Sequence, residues 1–456
     1  MTGKLSDLLD AFQGVVPSVI ATCDREGTPN VTFNSQVYYV DERHVALSCQ
    51  FFNKTHRNVR ENPWATVDIF EPVSLQAWRM RLRFDHIETE GPLFDTMALR
   101  IQVIASHTGM TGVFKLRSAD VYEVVSIERI EGLSHTVDLD APVGLPVGKM
   151  TELRGLQLVS DRINRCTDLE SLLSGTLESL DETFGFSHGM VLVPEGTEGR
   201  LVALATRGYG EGGIGAEVRV GEGAIGLAAA RRRMIRVGNM GGELRSGRAI
   251  RERAEQAGEA VAPEIPLPGL ADAQAQLAIP LVVGGRLLGV LALESRDPLQ
   301  FDDWDEAYLT VVANQIAMGV DRMQTVEDEG EPVPTAPRRV RPEPPVRTRR
   351  FRYYRSDDCV FVDGEYLVRN VPGKILWKVL AAHARERRLE FTNRELRLDP
   401  TLGLPPVKDN LESRLILLRK RLAEKCPDVK LVPVRRGRFA LELCCQVEME
   451  EVAAGT

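Results

Sequence analysis

The 456-residue sequence has no apolar run near the roughly 20 residues a membrane helix needs, so a membrane protein is not expected. Residues 1–20 carry no basic-then-apolar leader pattern, which makes the cytoplasm the expected compartment. The seven cysteines are scattered, form no CxxC and are odd in number, which argues against a disulfide framework. The seven histidines are equally dispersed, so the sequence offers no metal site. Aromatics are few at 6%, but 43% hydrophobic and 27% charged residues are ample for soluble cores. The length calls for two to four of them.

Positive charge is scarce until the end. The net charge is −8, yet 348–447 holds 22 Lys/Arg against 13 Asp/Glu, a balance of +9. A basic block on an acidic chain reads either as the site of an anionic partner or as a solvated helical surface.

The central stretch is the most informative. Val220-Gly221-Glu222-Gly223-Ala224-Ile225-Gly226 turns tightly into an alanine-rich helix. Ala278–Glu294 reads as two strands joined at Gly284-Gly285. A helix follows, with Trp304, Tyr308, Val311, Val312, Gln315 and Ile316 at helical spacing. Upstream, two helical stretches begin at Thr151 and at an N-cap, Asp168. This order resembles a GAF domain over 151–325, an α/β module. The resemblance implies an unknown small-molecule ligand or a dimer contact, and no catalysis. The first helix reads as a dimer stem that pairs with the last, or both simply cover one face of the sheet. A pocket is expected between the sheet and residues 230–276, which read as irregular. Cys166 and His188 are the nearby candidates for a soft ligand, with a structural role the alternative.

Residues 1–135 alternate as a barrel should: Ser18–Thr22, Asn30–Phe33, Gln36–Val40, Val45–Cys49, Ala65–Ile69, Met80–Glu88 and Ala119–Ile130. A helix over Leu93–His107 carries an apolar stripe and is expected to pack on the barrel, just before Ser106-His107-Thr108-Gly109-Met110. The strand at Ser48–Phe52 runs into Asn53-Lys54-Thr55-His56-Arg57-Asn58 and ends in Asn62-Pro63. A helix start with Lys, Thr and Asn suits a phosphate, or is an ordinary cap. Residues 15–125 resemble the FMN-binding split barrel of the pyridoxamine-phosphate-oxidase-like superfamily. That resemblance implies flavin phosphate at Lys54, Thr55 and Asn58, and the ring near Asn34, Ser35, Gln36, Phe51 and Phe52. It also implies a homodimer. The oxidase's Trp and Arg/His substrate pattern is missing, so that activity is not expected. His56 reads either as an acid near the flavin or as an exposed helix histidine.

After a 136–150 linker, the GAF-like stretch and a proline-rich tether over 326–347, residues 348–447 form the last domain, with a tail at 448–456. Strands at Arg352–Tyr354, Val360–Val362 and Glu365–Arg369 precede helices at Lys374–Arg387, Thr392–Leu398 and Val407–Lys425. Val429–Val434 and Phe439–Leu443 flank the basic tip Arg435-Arg436-Gly437-Arg438. Asp409–Leu422 and Val434–Phe439 resemble the third helix and wing of OmpR/PhoB-type winged helix-turn-helix domains. That implies double-stranded DNA at Lys408, Asn410, Ser413 and Arg414, with phosphate at Arg436 and Arg438. Asp409 and Leu417 stand where that family carries basic residues, which leaves protein contact as the alternative use.

The expected architecture is thus multidomain: split barrel, α/β GAF domain, winged helix. The expected function is a ligand- or redox-responsive transcriptional regulator. The alternative is an FMN-dependent oxidoreductase with regulatory and accessory domains.

Overall fold

The computed structural model describes residues 4–50, 54–72, 76–131, 149–195, 199–209, 213–256, 269–326, 347–402, 404, 411–435 and 437–452. Period-two alternation builds the first domain, as the sequence predicts. After a 3₁₀ turn at Leu5–Phe12 come β1 (Ser18–Cys23), β2 (Pro29–Asn34), β3 (Val37–Tyr39) and β4 (His44–Cys49). Helix α1 (Lys54–Glu61), β5 (Trp64–Phe70), β6 (Ala77–Glu88), α2 (Pro92–His107) and β7 (Ser118–Arg129) complete it. The sheet runs β2-β1-β5-β6-β7-β4-β3, antiparallel throughout. Ile20, Val45, Val67, Ile69, Met80 and Leu82 point inward onto Leu5, Leu8 and Phe12. Each such aliphatic side chain contributes about 1.5–3 kcal/mol by leaving water.

The central domain comprises α3 (Lys149–Arg165), α4 (Leu169–Phe184), β8 (His188–Glu195), β9 (Arg200–Arg207), β10 (Glu217–Arg219), α5 (Gly223–Arg231), β11 (Ile235–Val237), α6 (Met240–Gln256), β12 (Ala275–Val283), β13 (Arg286–Ser295) and α7 (Asp303–Val326). Its sheet order is β10-β9-β8-β13-β12-β11. Asp168 caps α4 by accepting from the Ser171 amide at 2.8 Å. Gly284 and Gly285 turn β12 into β13 at φ +56° and +77°. Gly226 is required for another reason: a Cβ there would lie 2.0 Å from the Arg219 carbonyl. Apolar side chains of α3, α4 and α7, among them Val159, Ile163, Leu172, Leu177, Leu309 and Ile316, bury one face of the sheet.

The other face is covered by the domain's own α5 and by a helix from outside the domain. Met97, Ile101 and Ile104 of α2 share one core with Leu192, Ala278 and Val290 of the central sheet and with α5. The stripe on α2 therefore packs on the neighbouring domain as well as on its own barrel. The stretch 230–276, expected to be irregular, contains β11 and the four-turn α6; residues 257–268 of it lie outside the described residues.

The third domain follows as β14 (Thr348–Tyr354), β15 (Cys359–Val362), β16 (Glu365–Val368), α8 (Asn370–Glu386), β17 (Glu390–Thr392), α9 (Asn393–Arg397), α10 (Leu411–Lys425), β18 (Val429–Arg435), β19 (Arg438–Leu443) and β20 (Gln446–Val452). Its sheets are β16-β15-β14-β20 and β17-β19-β18. Strand β20 reaches into the expected tail and runs parallel to β14. It brings Glu448, Glu450 and Glu451 against Arg350, Arg352 and Arg355. Counting those three glutamates lowers the domain's balance from +9 to +6.

Candidate functional site

A cavity of about 740 Å³ lies between the barrel and α6. The barrel contributes Phe33, Asn34 and Ser35 from the end of β2, Ser48 and Cys49 from β4, and Thr55 and His56 from the first turn of α1. The opposite wall is Asn239, Glu243, Arg245 and Ser246, on and just before α6. A buried ion pair fixes the two walls: Arg100 of α2 meets Glu243 at 3.0 Å, with side chains 10% and 13% exposed.

The residues expected at a flavin divide into three groups. Asn34, Ser35 and Thr55 line the cavity. Gln36 is held elsewhere, donating to the Phe12 carbonyl at 2.8 Å and accepting from Arg100. Asn58 is buried and donates to Thr22 Oγ1 at 3.2 Å, so it braces α1 against β1, while Lys54 is exposed. Phe51 and Phe52 lie outside the described residues.

His56 is not an exposed helix histidine. Its Nδ1 lies 2.8 Å from Asp120 Oδ2, and Ser118 Oγ donates to Asp120 Oδ1 at 2.7 Å. Cys49 is beside them, buried, its thiol pushed above its ordinary pKa by burial and by the Asp120 charge. The dispersion of Cys and His along the chain hid this convergence, because β4, α1 and β7 meet only in the fold.

A second pocket, about 350 Å³, opens in the central domain at the start of α5. It is lined by Arg200, Glu217, Arg219, the backbone at Gly223–Ile225, Gln276, and His107 from the end of α2. Ser106 accepts from the Gly223 amide at 2.8 Å, which ties the end of α2 to the start of α5 beside this pocket. The amide of Gln276 has only one orientation that works. Its Nε2 donates at 2.8 Å to Glu294 Oε1, and the other oxygen of Glu294 accepts from Tyr209 and the Leu270 amide. Gln276 Oε1 is thereby left without a partner, on a side chain only 1% exposed. Such a buried acceptor costs about 1–3 kcal/mol until something donates to it. Burial raises the Glu294 pKa despite three donors. Of the other candidates, Cys166 donates to the Arg162 carbonyl and His188 packs edge-on to Tyr209.

In the third domain α10 carries two apolar faces. Leu411, Leu415, Leu418 and Leu422 face its own core, whereas Ile416 and Leu417 enter the core of the central domain. Lys420 Nζ donates to the Leu204 carbonyl at 3.0 Å. Ser413 and Arg414, expected to face DNA, are 3% and 7% exposed and do not reach solvent. A helix apolar on two faces is covered on both. Arg438 is half-buried at the start of β19; Lys408, Asn410 and Arg436 lie outside the described residues. Arg369, at the N-cap of α8, pairs with Glu217 in the wall of the second pocket.

Among the described residues, no helix is long and apolar enough to cross a membrane. Residues 168–320 match the model of the GAF domain, and residues 6–125 match that of pyridoxamine 5'-phosphate oxidase. Among solved structures, the chain is similar to the GAF domain from a phosphoenolpyruvate-protein phosphotransferase of Coxiella burnetii, at 22% identity over 39% of this chain and 98% of that one, TM-score 0.33. It is similar to a free methionine-R-sulfoxide reductase from Neisseria meningitidis in complex with its substrate, at 19% over 40% and 96%, TM-score 0.32. It is also similar to an FMN-binding protein from Syntrophomonas wolfei, at 19% over 27% and 87%, TM-score 0.23. No curated protein matches the chain. The first domain is a split barrel of the pyridoxamine 5'-phosphate oxidase type, and the second is a GAF domain.

Proposed function

We propose that the chain is a ligand-responsive regulatory protein in which two small-molecule cavities control a docked output domain. The observation that carries this reading is the double role of Glu217, which lines the GAF pocket and holds Arg369 of the third domain. A ligand that draws on Glu217 or its partner Arg200 alters the docking contact, and docking alters ligand affinity by the same factor. The unpartnered Gln276 oxygen selects a ligand with an N–H or O–H donor, and the positive end of the α5 dipole favours an anionic group beside it.

The barrel cavity is assigned to FMN. Its volume falls within the roughly 300–1,000 Å³ range of small-molecule sites. The first turn of α1 has no acidic residue and presents Thr55 to the cavity, with Lys54 beside it. That turn supports the phosphate at Thr55, with the ring toward Asn34, Ser35 and Phe33. Flavin supplies electron or hydride transfer when bound; Thr55, Asn34 and Ser35 bind and orient it.

The output domain has the element order of a winged helix. Reading double-stranded DNA requires α10 to leave the GAF domain, because Ile416 and Leu417 are buried there. Homodimerisation uses the exposed apolar stripe Trp304, Val311 and Met318 along α7 and Phe33 on the β2 edge. The protein is tested by FMN dialysis with visible absorbance and by DNA binding across a salt series. FMN binds the wild type and Thr55→Ala weakens it by about tenfold, the loss of one phosphate hydrogen bond to a charged acceptor. An unchanged affinity in Thr55→Ala, or no FMN uptake, removes the flavin assignment. Absence of DNA binding at low salt, with or without ligand, removes the DNA output.

A further inference from the structure

We propose that Cys49, His56 and Asp120 form a binding site for a divalent transition-metal ion, zinc or one of similar size and softness, with an open coordination position facing the barrel cavity. This goes beyond the ligand-sensing reading and does not depend on it.

Three elements deliver three different donors. Cys49 ends β4, His56 lies in the first turn of α1, and Asp120 lies on β7. Strands β4 and β7 are paired, with Cys49 opposite Ser118 and Leu47 opposite Asp120. Cys49 and Asp120 are therefore on one face of the sheet, two positions apart, and both backbones are fixed by the ladder. The thiol sulfur, one imidazole nitrogen and one carboxylate oxygen all lie within 4.8 Å of one another. A tetrahedral ion with bonds of about 2.0–2.3 Å spans such a set with side-chain rotations alone.

The donor chemistry narrows the ion. Thiolate and imidazole disfavour magnesium and calcium, which take oxygen ligands; a mixed sulfur, nitrogen and oxygen set suits zinc. The outer contacts match those a metal site requires. Ser118 Oγ donates to Asp120 Oδ1, which orients the carboxylate and leaves Oδ2 turned toward His56. All three ligands line the cavity, so the fourth position faces its interior. Three protein ligands plus an exchangeable position is the arrangement of reactive rather than purely structural zinc. Water or an anionic group of a cavity ligand takes that position.

The test uses the full chain, purified without a histidine tag and stripped with chelator. Cobalt(II) is titrated in and followed in the red visible, where ligand-field bands of tetrahedral cobalt are free of flavin absorption, and zinc uptake is measured by elemental analysis. The expected result is about one equivalent per chain, a thiolate charge-transfer band that Cys49→Ser abolishes, and roughly tenfold weaker binding in Ser118→Ala. Uptake unaffected by Cys49→Ser, octahedral cobalt bands, or no uptake by the folded wild type overturns the proposal. The last result leaves His56 and Asp120 as a hydrogen-bonded pair with Cys49 packed beside it. The wild-type cobalt spectrum decides the matter even if a variant fails to fold.

Discussion

Glu294 determines what the GAF pocket offers a ligand without touching the ligand itself. Its carboxylate orients Gln276, and that orientation presents an acceptor rather than a donor. Glu294→Gln places an amide nitrogen opposite Gln276 Nε2, and the pair is satisfied only if Gln276 turns over. The pocket then presents a donor, and affinity moves from ligands with N–H groups to ligands with acceptors, readable by a thermal-shift screen. The substitution also changes the pH dependence of stability. A folded-state pKa raised by burial favours the protonated acid, so this group's contribution is full below the ordinary Glu pKa of 4.5 and is lost as pH rises through the folded value. Wild type therefore loses stability relative to Glu294→Gln over that interval. Parallel melting curves across it would refute the assignment.

At the scale of elements, α10 holds the third domain against the GAF domain. Leu417→Asp puts a charge where a side chain only 8% exposed meets the GAF core. The expected cost is about 2–5 kcal/mol of docking, with the third domain's own leucine core intact. Limited proteolysis of the proline-rich tether at 326–347 should accelerate, while the released fragment keeps its helical circular dichroism. A fragment that unfolds instead would show Leu417 to belong to the domain's own core. The sequence made one face of α10 legible, because Leu411, Leu415, Leu418 and Leu422 repeat at helical spacing. Leu417 read as a departure from a DNA-binding pattern, and its reason, shared with Ile416, is contact with another domain. The barrel strands were legible for the converse reason: alternation is local. Helix α6 was not, since Met240, Leu244, Gly247 and Ala254 are its only buried positions and two of the four are small. Strand β20 was missed because its charged, glutamate-rich sequence is unlike a strand until the arginines of β14 lie beside it. The cluster of Cys49, His56 and Asp120 was illegible because its members are up to 71 positions apart.

For the whole molecule, buried apolar side chains of α2 join the barrel to the GAF sheet. Calorimetry should show the barrel and GAF domain melting together. Arg100→Met tests the joint, since it strands Glu243 in a buried position at a cost of about 3–5 kcal/mol. Arg100→Met combined with Glu243→Leu should recover much of that loss, because the isolated charge is gone. Two separated transitions in the wild type would mean that the domains touch without cooperating.

The pairing of β14 with β20 has a mechanical consequence. The first and last described strands of the third domain run side by side in the same direction, Thr348 beside Gln446 and Tyr354 beside Val452. Tension applied at Thr348 and resisted at Val452 loads the rungs between them in shear, all at once, instead of peeling them singly. Any tug arriving through residues 326–347 would then load this ladder as a whole rather than unravel the leading edge of the third domain.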